Sequence, residues 1–212
     1  GVTQNPDPTQ QNQQGNGLFN LGRRLYGEDD YDVHLIGEHE QVRRGPNIGT
    51  GAAYNWVLRA VNRHNITNVV VMGFSWGGGA TFNLLDRINR DLNAQPLPFQ
   101  NHFVVPFTAY IDAIVHGSTP RLDERRRWVR PQAETRRPPL TQHHVNYYQT
   151  IDANSAGFTG IQGQQVPGSN LNRDVNNPPL NPNGQLNHRN IDDDQNVQND
   201  LRNGFLRQVT AR

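Results

Sequence analysis

Cysteine and lysine are absent from these 212 residues, and methionine occurs once. Without cysteine there is no disulfide scaffold, no zinc knuckle and no thiolate catalysis. Without lysine, all 20 basic residues are arginine, and against 19 acids they leave a formal charge of +1. That balance removes the electrostatic basis for a dedicated nucleic-acid binder, which would carry a strongly basic face. Apolar residues are scarce too, at 33%. No apolar run approaches the roughly 18 to 20 residues of a membrane span, so a soluble chain is expected. The start at Gly1 shows no charged stretch followed by an apolar one, as in a cytosolic fragment or a processed chain. What abounds is amide: Asn and Gln make up about a fifth of the residues, a composition that leans toward disorder. The length suits one α/β domain with a sizeable core, and the hydropathy pattern decides whether it folds.

Residues 1–16 hold amides, two prolines and almost nothing apolar, and read as a polar tail or loop. Leu18, Phe19, Leu21 and Leu25 predict two helical turns over Leu18–Tyr26, and Tyr31–Ile36 alternates weakly, as a short strand does. Ala53, Trp56, Val57, Ala60 and Val61 mark one face of a helix over Ala52–His64. Asn68–Phe74 is a continuous β-branched run, the pattern of a parallel strand buried on both faces. A glycine-rich turn and a helical segment with Phe82, Leu85, Ile88 and Leu92 follow it. Strands are also predicted at His102–Ile114, with a break or bulge at Pro106, and at His143–Thr150. Residues 153–187 read as loop, and Val197, Leu201, Phe205 and Val209 predict a closing helix from about Asp192, its three aspartates facing the N-terminal dipole. Strands alternating with helices, without an internal repeat, make 17–212 one α/β domain with a mostly parallel sheet flanked by helices.

The segment with most chemical content is Gly73-Phe74-Ser75-Trp76-Gly77, a G-x-S-x-G between a buried strand and a helix. In a nucleophile elbow the serine sits in strained backbone at the tip of a sharp turn, where side chains two positions either way would clash. Glycine at both flanks removes that clash. The turn also sets the backbone N–H of Trp76 at a helix N-terminus, where it can donate to a developing oxyanion. The bland reading is a glycine-rich turn that packs helix on sheet or binds phosphate; the phosphate version lacks G-x-G-x-x-G and G-K-[ST].

A serine in such a turn needs an orienting acid and a base, in chain order Ser, then Asp or Glu, then His. Asp112 follows a buried apolar run, an odd place for a carboxylate unless it works or caps a turn. Asp152, just past the next strand, is the rival acid. For the base, His188 lies in the last loop before the final helix. His34, His39 and His64 precede Ser75, His102 begins a strand, and His116, His143 and His144 are weak competitors. His143 and His144 point to opposite faces of a strand, where one can be a satisfied core residue.

The blocks V-V-V-M-G-F-S-W-G-G-G-A, T-A-Y-I-D-A-I, H-V-N-Y-Y-Q and H-R-N-I-D-D-D-Q-N-V-Q resemble those of α/β-hydrolase fold serine hydrolases of the lipase and esterase kind, over roughly residues 68–209. The resemblance implies Ser75 as nucleophile, Asp112 as acid, His188 as base and an oxyanion hole whose second donor comes from a loop after an early strand. That strand is not evident here. The sheet is then a reduced one or lacks its first strand, with Val2 in Gly1-Val2-Thr3 as the stand-in donor. The expected substrate is a small-molecule or lipid ester, with no metal or organic cofactor. The competing expectation is a non-catalytic member of the same fold, a structural or binding module in an extracellular assembly.

Other features read more simply. Residues 121–137 carry seven arginines against three acids within a 117–140 insertion, either a cap or lid or a solvated loop whose arginines pair with Asp123, Glu124 and Glu134. Asp192-Asp193-Asp194 lacks calcium-loop spacing, and Asn65-Ile66-Thr67 is a glycosylation sequon.

Overall fold

The β-branched run at Val69–Val71 needs cover on both faces, and helices supply it from both sides of a parallel sheet. The structure is a computed structural model that describes residues 17–27, 31–34, 36, 48–94, 103–118, 121–125, 128–151, 160–182 and 184–210. In chain order these form α1 (Gly17–Gly27), α2 (Ile48–His64), β1 (Val71–Phe74), α3 (Trp76–Asn93), β2 (Val105–Ile111), the short β3 (Arg121–Leu122) and β4 (Trp128–Val129), β5 (Thr141–Tyr148), β6 (Leu171–Asp174) and α4 (Gln195–Thr210). The main sheet runs β1-β2-β5-β6 with every neighbour parallel, which places the chain in the α/β class.

One face packs Phe107, Ile111, Val145 and Tyr147 against Leu21 and Leu25 of α1 and Val197, Leu201 and Phe205 of α4. The other packs Val69 and Val105 against Val57 and Val61 of α2 and Leu84, Leu85 and Ile88 of α3. Each such side chain, fully buried, contributes about 1.5–3 kcal/mol. The apolar minority suffices because it is concentrated in these two layers.

Several expectations change. Tyr31–His34 and Ile36 form no strand; Tyr31 and Val33 alternate because they pack on the α1–α4 cluster, and the Tyr31 N–H turns back to the Leu25 carbonyl at 3.1 Å. Pro106 makes no bulge, since Val105↔Thr141 and Phe107↔His143 keep one register across it. Within 153–187, Leu171–Asp174 is a strand; its sequence L-N-R-D shows no apolar pattern because it edges the sheet among the described residues. The closing helix starts at Gln195, not Asp192, and of the three aspartates Asp194 is the cap, its Oδ1 accepting from the N–H of Asn196 at 2.9 Å and of Val197 at 3.1 Å.

The insertion at 117–140 is stitched to the sheet rather than loose. β3 and β4 pair antiparallel, Ala133 bridges Ile114, and the Glu134 N–H donates to the Ala113 carbonyl at 2.9 Å. The fully buried Glu134 carboxylate receives Arg136 through Nε at 2.8 Å and Nη2 at 2.6 Å, and the guanidinium lies over the Phe82 ring. Asn65 of the sequon takes a left-handed φ of 53° just past α2, the conformation of a helix C-terminal cap. Among the described residues no helix is long and apolar enough to cross a membrane.

Candidate active site

In a parallel sheet the carboxyl ends of the strands leave a crevice where side chains from successive βα connections converge. Ser75 directly follows β1 and Asp112 directly follows β2, and both hold left-handed backbone unusual outside glycine, at φ 54° and φ 44°. The Ser75 conformation (φ 54°, ψ −124°) immediately precedes α3. Hydrogen bonds over-determine it: the Ser75 N–H donates to the Ile111 carbonyl at 3.1 Å, and the Ser75 carbonyl accepts from the N–H of Gly78 and of Ile114 at 3.0 Å each. Asp112 is fastened likewise, its N–H donating to the Tyr147 carbonyl at 2.7 Å.

The glycines around Ser75 divide unexpectedly. A Cβ at Gly73 would run into the Gly77 carbonyl, one at Gly78 into Ala113 and one at Gly79 into the backbone of 114–116, whereas a Cβ at Gly77 meets nothing. The anticipated clash two residues after the serine is therefore absent. The close approach falls on the third and fourth residues after it, because α3 presses its second and third glycines against the chain leaving β2.

His188 arrives from the turn that precedes α4. Its Nδ1 lies 2.7 Å from Asp112 Oδ2 and its Nε2 lies 2.9 Å from Ser75 Oγ. A carboxylate only accepts, so Nδ1 carries the proton and Nε2 is left to accept from the serine hydroxyl. The Asp112 side chain is fully buried, the His188 ring is 14% exposed, and Phe74 stacks on that ring at a centroid distance of 5.0 Å. Water is thus kept from the carboxylate, and the half-buried Ser75 hydroxyl faces a ring nitrogen that can accept its proton. The N–H of Trp76, first in α3, has no intrahelical acceptor, and the indole Nε1 donates to the Ser118 carbonyl at 2.7 Å.

Side-chain amides hold the histidine turn. Asn176, just past β6, clamps Leu186 in both directions, donating from Nδ2 to its carbonyl at 2.7 Å and accepting its N–H at Oδ1 at 2.8 Å. The Asn187 carbonyl accepts from the N–H of Ile191 at 3.0 Å, and Asn181 Nδ2 donates to Asp194 at 2.9 Å. Behind His188, Asp192 is buried, and the start of α1 docks on its backbone, where a Cβ at Gly17 would collide. Burial, reinforced by the Asp193 charge, pushes the Asp192 carboxyl up to about 6.

Of the other candidates, Val2 and Asp152 lie outside the described residues. His143 and His144 do point to opposite faces of β5: His143 stacks on Phe107, and His144 is fully buried with Nδ1 2.7 Å from Thr108 Oγ1. His144 is not fully satisfied, for its Nε2 has no partner, and burial with the Arg137 charge pushes its pKa down to about 3. The sequence reading missed Gln149, which touches Asp112, and Asn176; a single amide in an amide-rich chain carries no pattern to single it out. Among the described residues no group of three His, Cys, Asp or Glu side chains is placed to hold a metal. Comparison with protein-family models, with curated proteins and with solved structures found no match.

Proposed function

We propose that this chain is a serine hydrolase of the α/β-hydrolase type that cleaves carboxylic esters through an acyl-enzyme on Ser75. The observation that carries the reading is the unbroken hydrogen-bonded line from Ser75 Oγ through His188 to a buried Asp112, with the serine in left-handed backbone before a helix N-terminus. His188 Nε2 takes the hydroxyl proton as Oγ attacks the ester carbonyl, and Asp112 holds the tautomer and stabilises the imidazolium. The Trp76 N–H donates to the oxygen that becomes negative. Collapse of the tetrahedral adduct breaks the ester C–O bond, and the leaving alkoxide takes the proton from His188. Water then attacks the acyl-enzyme with His188 again as base, releasing the acid and restoring Ser75.

A fluorophosphonate serine probe tests this directly. Peptide mapping is expected to place the label on Ser75, with labelling and p-nitrophenyl ester hydrolysis both abolished in Ser75→Ala and His188→Gln. Folded protein that hydrolyses the ester without Ser75 labelling overturns the assignment. The two acids separate by amide replacement: Asp112→Asn is expected to lower kcat roughly ten-thousandfold while Asp152→Asn leaves it near wild type, and the reverse result moves the acid to Asp152.

A further inference from the structure

The Asp112 carboxylate has a second polar neighbour besides His188. Gln149, at the end of β5, is fully buried, and its side-chain Nε2 donates to Asp112 Oδ2 at 2.9 Å and to the Ile161 carbonyl at 2.8 Å. Its Oε1 accepts from the Ile151 N–H at 2.8 Å, so both amide donors and the carbonyl oxygen are engaged. The orientation is forced, since a flipped amide would set an oxygen against two acceptors and a nitrogen against a donor. The Gln149 backbone N–H also points at Asp112 Oδ1, at the long distance of 3.4 Å, and its carbonyl accepts from the Gly163 N–H at 3.1 Å. Gly163 is pressed so closely on the same carboxylate oxygen that a Cβ there would strike it.

A buried glutamine loses considerable rotamer freedom and needs full satisfaction, which an apolar side chain of similar volume would not. Its chemistry at this place is specific. The Oδ2 that accepts from His188 Nδ1 also accepts from Gln149 Nε2. A neutral donor fixes the carboxylate rotamer and draws off part of its charge without bringing a cation that would compete with the imidazolium. We propose that Gln149 is a positioning residue that holds Asp112 toward His188 and moderates the basicity of His188. Its catalytic meaning rests on the hydrolase reading above, but the coupling between Gln149 and the His188 titration stands apart from it. Asp192, in the same turn as His188, interacts with it electrostatically. From β5, the Tyr148 hydroxyl accepts from Gln165 at 3.2 Å.

The sign follows from the hydrogen bonds. Removing the Nε2 donor concentrates charge on Oδ2, favours the imidazolium and moves the protonation of His188 to higher pH. Gln149→Met keeps the volume without the donors, and Gln149→Leu likewise removes them without adding a charge. In the full chain the His188 ring proton, assigned by its loss in His188→Gln, is followed by NMR through a pH titration that needs no turnover. Both Gln149→Met and Gln149→Leu are expected to raise the midpoint. With the ester substrate, the acid limb of kcat/KM is expected to move by the same amount. kcat is expected to fall roughly tenfold or more, as for loss of one hydrogen bond to a charged group, with KM within about twofold. If Gln149→Met does not fold, Gln149→Leu carries the test alone. A His188 midpoint unchanged in a folded variant overturns the proposal, as does a loss of activity that tracks a lowered Tm with the acid limb fixed. A shifted midpoint in a chain that hydrolyses no ester supports the coupling and rejects the hydrolase reading instead.

Discussion

Ser75 and Asp112 are held by backbone at the ends of two hydrogen-bonded parallel strands, whereas His188 is held by side-chain amides in a segment with little regular structure. On the elbow side the constraint is steric and apolar: a β-branched strand, left-handed backbone at two positions and glycines pressed against neighbouring backbone. On the base side it is polar: Asn176 on Leu186, Asn181 on Asp194, Asp194 on α4. The amide-rich composition that argued for disorder is here the material of the second scaffold. Each of these amides satisfies backbone or side-chain groups that strands and helices would otherwise satisfy.

The two sides should respond oppositely to acid. His144, in β5, has its pKa lowered from 6.5 to about 3 by burial, so its contribution is present above pH 6.5 and is lost as the pH falls toward 3. Asp192, in the His188 turn, has its pKa raised from 3.8 to about 6 by burial, so its contribution is present below pH 3.8 and is lost as the pH rises through 6. Denaturant unfolding from pH 7 to 4 is expected to show a His144-dependent loss on the order of 3 kcal/mol, opposed by an Asp192-dependent gain on the order of 2 kcal/mol. Asp192→Asn should abolish the gain and leave the loss. An identical pH profile in that variant contradicts the opposition.

A methyl group at Gly73 tests the steric side. Gly73→Ala drives Cβ into the Gly77 carbonyl, backbone that cannot yield without moving α3. Its expected cost is on the order of 3 kcal/mol, read as a lowered denaturation midpoint. Asn176→Ala probes the polar side by removing both bonds to Leu186. A loss of about 1–3 kcal/mol is expected. Probe labelling of Ser75 should slow as well, because the His188 turn loses its anchor; unchanged labelling would mean that the turn is held without the amide. The smallest effect falls at Gly77, where a Cβ meets nothing. Gly77→Ala, in the first turn of α3, is expected to change stability by less than about 0.5 kcal/mol in either direction. A loss as large as that of Gly73→Ala would restore the flanking clash that the G-x-S-x-G pattern suggests.

Much of the elbow side was readable in advance because its determinants are local. The run at Val69–Val71, the glycines after Ser75 and the spacing of Leu85, Ile88 and Leu92 place strand, turn and helix within a few residues of one another. Asp112 stood out as a carboxylate at the end of an apolar run, and His188 by chain order. Asn176, Gln149 and β6 were not legible, because an amide's role depends on which backbone group it meets across the fold. Leu186 is 10 residues from Asn176, and Asp112 is 37 from Gln149. The misread strand at Tyr31–Ile36 has the same cause, since alternation records burial and not what does the burying.

The sequence by itself determined the α/β alternation, the turn that lifts Ser75 and the candidates for its partners, all consequences of short-range sterics and periodicity. Tertiary structure alone decided that the chain positions 75, 112 and 188 meet within hydrogen-bond distance and that Gln149 closes the line behind them. Parallel strands bring together residues far apart in sequence, and only the packed sheet sets which polar groups are left facing one another at its carboxyl edge.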